Sequence, residues 1–138
     1  MAAAHGGPPI AGAYLALPVS MDDIANGETV TVEVALPTGM ALVVIGVSWY
    51  AASVTSDPEV HVGTHADDDG ILTATNMTAD TVTFATPNGA LAVSSRVPIS
   101  ASGNIKVTVI ADAGDAAEGV CITVWCYVTE HATNIQPD

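Results

Sequence analysis

Val120-Cys-Ile-Thr-Val-Trp-Cys-Tyr-Val128 is the stretch on which the fold turns. In an extended chain Val120, Ile122, Val124, Cys126 and Val128 fall on one side, and Cys121, Thr123, Trp125 and Tyr127 on the other, because successive strand side chains point to opposite faces. A period of two, filled largely by β-branched residues, predicts a strand. Both sides carry apolar or aromatic groups. A sheet in a two-layer sandwich meets water on one face. The second apolar side therefore predicts cover, from another subunit or from the N-terminal segment, unless the aromatics simply belong to the core.

The same period recurs along the chain. Val30, Val32, Val34 and Leu36 alternate with Thr29, Thr31 and Glu33. Ala41 to Val54 is apolar on both sides and reads as a central or partner-covered strand. Glu59 to Thr64 places Val60 and Val62 inward, Thr81 to Thr86 places Val82 and Phe84 inward, and Ile105, Val107 and Val109 alternate with Lys106 and Thr108. Shorter strands are expected at 71–75, 90–93 and 97–99. Pro37-Thr-Gly39, Asp57-Pro58, Asp67-Asp-Asp-Gly70, Pro87-Asn-Gly89, Ser100 to Gly103 and Asp112 to Gly119 supply turns and loops. About eight short strands at roughly 8–12-residue spacing predict an all-β sandwich or barrel. Residues 1–19 read as an extended arm or first strand, and 20–138 as the sandwich. One helical turn is expected at Ser20-Met-Asp-Asp23, where a serine cap precedes acidic residues.

Charge narrows the function classes. The 138 residues include 15 Asp and Glu against one lysine, Lys106, and one arginine, Arg96, for a net charge of -13. Tight binding to a nucleic-acid backbone comes from Lys and Arg displacing counterions, and two cations cannot supply it. Anionic membrane surfaces are disfavoured for the same reason. The acidity itself serves solubility, or an acidic outer face, or a basic partner. The start, Met1-Ala-Ala-Ala-His-Gly-Gly-Pro-Pro9, lacks the basic and apolar regions of a secretory signal, so synthesis in a cytoplasm is expected. Cys121 and Cys126 sit on opposite sides of one strand, too far apart along it for a disulfide, and read as buried free thiols behaving as small hydrophobes.

Catalytic motifs are scarce. Gly46-Val-Ser-Trp-Tyr50 lacks the second glycine of a nucleophile elbow, and no Gly-rich phosphate loop precedes a helix. His61 and His65 form the nearest histidine pair, followed by Asp67, Asp68 and Asp69. Asp67 and Asp69 with the Gly70 turn could begin a hard-cation site, but the remaining ligands of an EF-hand loop are missing. A solvated acidic loop is the simpler reading, and no cofactor is expected. Asn76-Met-Thr78 matches a glycosylation sequon without a secretory context. Arg96 and Lys106 read as ordinary surface charges.

Ala41-Leu-Val-Val-Ile-Gly-Val-Ser-Trp-Tyr50, Val60-His-Val-Gly-Thr-His-Ala-Asp-Asp-Asp-Gly-Ile71, Asn104-Ile-Lys-Val-Thr-Val109 and Val120 to Val128 together resemble the capsid decoration, or cement, proteins of tailed bacteriophages. The likeness covers about two thirds of the chain and rests on texture and order. It implies a jelly-roll-like antiparallel β-sandwich with an extended N-terminal arm. It further implies a trimeric virion protein on the outer capsid surface, clamping the major capsid protein lattice, without catalytic residues. The residues expected at capsid or subunit contacts are Ile10, Tyr14, Leu15 and Leu17 in the arm, with Trp49, Trp125 and Tyr127. The alternatives are a tail or fibre module that binds a glycan or a partner protein, and a cupin-like metalloenzyme with histidines projecting into the barrel.

Overall fold

A computed structural model describes residues 14–34, 40–89, 97–98 and 105–131. Ile10, Arg96, the turn at 37–39, the short strand expected at 90–93 and the loop at 100–103 lie outside the described residues. The strands are β1 (Tyr14–Ile24), β2 (Thr29–Val34), β3 (Met40–Tyr50), β4 (Ser53–Thr55), β5 (Glu59–Thr64), β6 (Leu72–Asn76), β7 (Thr83–Ala85), β8 (Val97–Pro98), β9 (Ile105–Ile110) and β10 (Ala116–His131).

They form two antiparallel sheets. Sheet A runs β1-β10-β3-β7, with β4 added on β10 and β8 on β3, and sheet B runs β2-β9-β5-β6. The pairs β1·β10, β2·β9, β3·β7 and β5·β6 are nested in the sequence, like one long hairpin rolled up so that successive rungs alternate between sheets. That is the jelly roll, two interlocked Greek keys on eight strands. The expected all-β sandwich is thus the fold, with β4 and β8 as short additions.

The interior follows the alternation. Leu17, Val19 and Ile24 of β1, Leu42, Val47 and Trp49 of β3, and Val120, Ile122, Val124, Cys126 and Val128 of β10 are buried against Val60, Val62, Leu72, Ile105, Val107 and Val109 of sheet B. Each buried aliphatic side chain stabilises by about 1.5–3 kcal/mol. Small β-branched groups suit this space because two facing sheets stand only about 10 Å apart.

Two expectations change at the N-terminal side. The boundary drawn at residue 19 falls inside β1, whose first half pairs with β10 from Tyr14↔Tyr127 to Val19↔Ile122. Of the two readings of this segment, the first strand holds for residues 14–19. The helical turn at Ser20–Asp23 is replaced by a bulged strand end: Asp22 opposes Val120 and Ile24 opposes Ala117. The bulge puts Asp22 at φ 55, a conformation that short polar side chains tolerate. The Asp23 carboxylate accepts a hydrogen bond from Gly119 N at 3.0 Å across the sheet instead of capping a helix.

Candidate functional site

The outer face of sheet A is built by register. Counting across β1, β10 and β3, its rows are Ser20–Cys121–Tyr50, Pro18–Thr123–Ser48, Ala16–Trp125–Gly46 and Tyr14–Tyr127–Val43. A shift in β3 pairing after Trp125 inserts an extra residue, which leaves Ile45 exposed while Val44 stays buried. None of these positions carries a charge, on a chain of net charge -13. Aromatic rings dominate it. Tyr14, 73% exposed, meets Tyr127 edge to face with ring centroids 5.3 Å apart. Trp125, 40% exposed, donates its indole N–H to Ser48 Oγ at 2.8 Å.

Phe84 completes the face. β7 is a three-residue edge strand whose Phe84 stands opposite Ser48. Its ring lies over Gly46, in the space that any side chain there would need, while 57% of the residue remains exposed. Val82 beside it is exposed too. The inward placement expected of Val82 and Phe84 is therefore corrected. The edge strand joins sheet A with its aromatic residue outward, because the side-chain-free Gly46 offers the ring a seat on that side.

The predicted contact residues divide by parity. Tyr14, Trp125 and Tyr127 come together on the outer face of sheet A. Leu15 packs against the core, Leu17 is buried in it, and Trp49 is 2% exposed. These three point inward as alternate residues of β1 and β3; Leu17 and Trp49 are core residues and not surface contacts, whereas Leu15 is only half-buried. Residues 14–19 pair edgewise with β10 and leave its outer face open. Phe84 and Ile45 were missed; a glycine inside an apolar strand, which marks close approach by another group, was the available signal.

Acidic groups collect at one end of the roll. Asp57 N donates to Asp115 Oδ1 at 3.2 Å, Ser53 Oγ to Glu118 Oε1 at 3.0 Å, and Asn26 Nδ2 to Asp115 O at 3.4 Å. Asp22 and Asp23 end β1 there. The Tyr50 hydroxyl donates to Asp80 Oδ1 at 2.7 Å, which joins this end to the uncharged face. That bond, and then the Asp80 charge, push the Tyr50 phenol above its ordinary pKa.

Among the described residues, His61 and His65 belong to no group of three or more metal-ligating side chains. Register with β9 sets His61 opposite Thr108, on the outer face of sheet B, whereas Val60 and Val62 face the interior. His65 pairs with Glu33 at the surface. The indole nitrogen of Trp49 and Nε2 of His61 are both buried without a hydrogen-bond partner among the described residues.

Asp67, Asp68 and Asp69 do approach one another, with carboxylate oxygens within 4.8 Å. The loop is folded tightly by Thr64 N to Asp67 O at 2.8 Å and Gly70 N to Asp67 O at 3.2 Å, and it presses on Gly63, where a Cβ would collide with its backbone. A hydrogen bond with Asp69 raises the Asp67 pKa, with smaller contributions from burial and from the Asp69 charge.

The chain matches no protein-family model and no curated protein sequence.

Proposed function

We propose that this protein is a structural virion component that decorates an icosahedral phage capsid, binding the outside of the major capsid protein lattice as a trimer. The observation that carries the reading is the uncharged, aromatic outer face of sheet A. Tyr14, Ile45, Phe84 and Trp125 stand exposed on a face without charge, in a chain of net charge -13. Aromatics are enriched and charges depleted at the centre of protein interfaces. Contiguous exposed apolar surface of this kind marks an interaction site.

The work is mechanical. Many copies, each binding modestly across a repeating lattice, add avidity and resist rupture of the shell. The jelly roll provides a stiff platform for it, since both sheets are braced by one apolar interior. A glycan-binding fibre module would place aromatics at loop tips. Here every aromatic residue of the chain lies on a strand: Tyr14, Trp49, Tyr50, Phe84, Trp125 and Tyr127.

The test is sedimentation of the purified protein with shells of the phage that encodes it, assembled without this chain. Saturable binding at a fixed ratio to coat subunits supports the reading. Shells that leave the protein in the supernatant at all concentrations overturn it.

A further inference from the structure

We infer that the outer face of sheet A seats a different protein, apolar at the centre of its contact and cationic where it meets the acidic end, and not a second copy of this chain. This rests on the docking reading above and specifies the partner's chemistry.

The charge layout carries the inference. The face runs without a charged residue from Tyr14 and Tyr127 to Cys121 and Tyr50. There it meets carboxylates, through Tyr50–Asp80 on one side and Asp22, Asp23 and Glu118 on the other. A partner covering the aromatics brings its own border against these acids. Carboxylates brought up to a surface without opposing cations repel any acid there and lose hydration. A surface with Lys or Arg at that border turns the same layout into attraction and fixes the docking direction.

Among the described residues, a second copy offers no Lys or Arg for such a border. Lys106 stands on the outer face of sheet B, in register with Glu33 and Gly63. The chain's other Lys or Arg, Arg96, lies outside the described residues, and the two cations stand against 15 acids. Two copies meeting through sheet A would bring together like-charged bodies of -13 each. On this balance of charge, a partner of different composition supplies the cations.

Cys121 is a native reporter on this face, exposed in the row beside Tyr50, while Cys126 is buried. The experiment measures maleimide labelling of Cys121 in free protein and in protein bound to coat shells assembled without this chain. It is run at about 50 mM and about 500 mM NaCl, which brackets weak and strong screening, with sedimentation velocity of the free protein in the same buffers. Expected are slower Cys121 labelling on shells, binding weakened about tenfold at the higher salt, and a D80N/E118Q variant that binds less and loses most of that salt dependence. Binding with Cys121 as reactive as in free protein overturns the choice of face. Salt-independent binding overturns the cationic partner. A concentration-dependent dimer of the free protein that shields Cys121 makes the second copy the occupant. Absence of shell binding at both salt concentrations is a separate result, which overturns the decoration reading and this inference with it.

Discussion

The Phe84 ring lies over Gly46, filling the space beside its backbone on the outer face of sheet A. This contact anchors the short edge strand β7, which pairs with β3 only from Thr83 to Ala85. Gly46→Ala forces the ring away, and because Phe84 is more than half exposed and can swing aside, the expected loss is about 0.5 kcal/mol, the scale of a surface substitution. The double variant Gly46→Ala/Phe84→Ala should lose less than the sum of the two single variants, because the ring that clashes is gone. Urea unfolding midpoints at unchanged m-value decide it. Additive losses would mean that the two residues are not coupled.

The two cysteines should behave oppositely. Burial pushes the Cys126 thiol up to about 12, so it has almost no thiolate at neutral pH. Cys121, expected from the sequence to be buried as well, is instead exposed on the outer face of sheet A, because its parity on β10 is opposite to that of Cys126. Titration with a thiol-reactive chromophore should count one reactive thiol per native chain and two in denaturant. Two fast thiols in the native state would show that β10 does not bury Cys126.

Asp67 and Asp69 predict a pH signature. The Asp67 carboxyl is held above its ordinary value, first by the hydrogen bond with Asp69. The folded chain thus holds this proton more tightly than the unfolded chain does. The arrangement costs nothing below the unfolded value of 3.8 and opposes folding increasingly as pH rises through the folded one. Asp69→Asn removes the second charge. Its unfolding midpoint should exceed that of the wild type at pH 7, and the two curves should meet on acidification. A difference independent of pH would refute the coupling between the two carboxyls.

Inward and outward residues of the same sheet should separate stability from binding. Ile122→Ala leaves a cavity among residues buried completely between the sheets, with an expected cost of about 2–5 kcal/mol. Tyr14→Ser removes a largely exposed ring whose one aromatic partner is Tyr127, worth about 0.5–1.5 kcal/mol. Shell binding should respond in the reverse order, with Tyr14→Ser weakening it at least about tenfold, the loss of a minor hot spot. Unimpaired shell binding by Tyr14→Ser would remove Tyr14 from the docking face.

Alternation by itself determined much of this protein. Val120 to Val128, Glu59 to Thr64 and Ile105 to Val109 fold with the side-chain parity read from their sequences, because period two is local and leaves each strand one way to hide its valines. The two-sided apolar character of β3 and β10 was legible for the same reason, and so were the unpaired cysteines on opposite faces. What remained was decided by partners distant in the chain. Which aromatics face outward depended on strand pairing: Trp49 went to the core and Trp125 to the surface, though both strands read as apolar on both sides. Phe84 turned outward because Gly46, far away in sequence, offers it a seat. Ser20 to Asp23 had a local signal for a helical turn, but their backbone groups found β10, and a long ladder outweighs one turn. The gathering of the carboxylates at one end, beside an uncharged face, exists only once the chain is rolled up, since residues as separate as Asp23 and Gly119 meet only through the sheet.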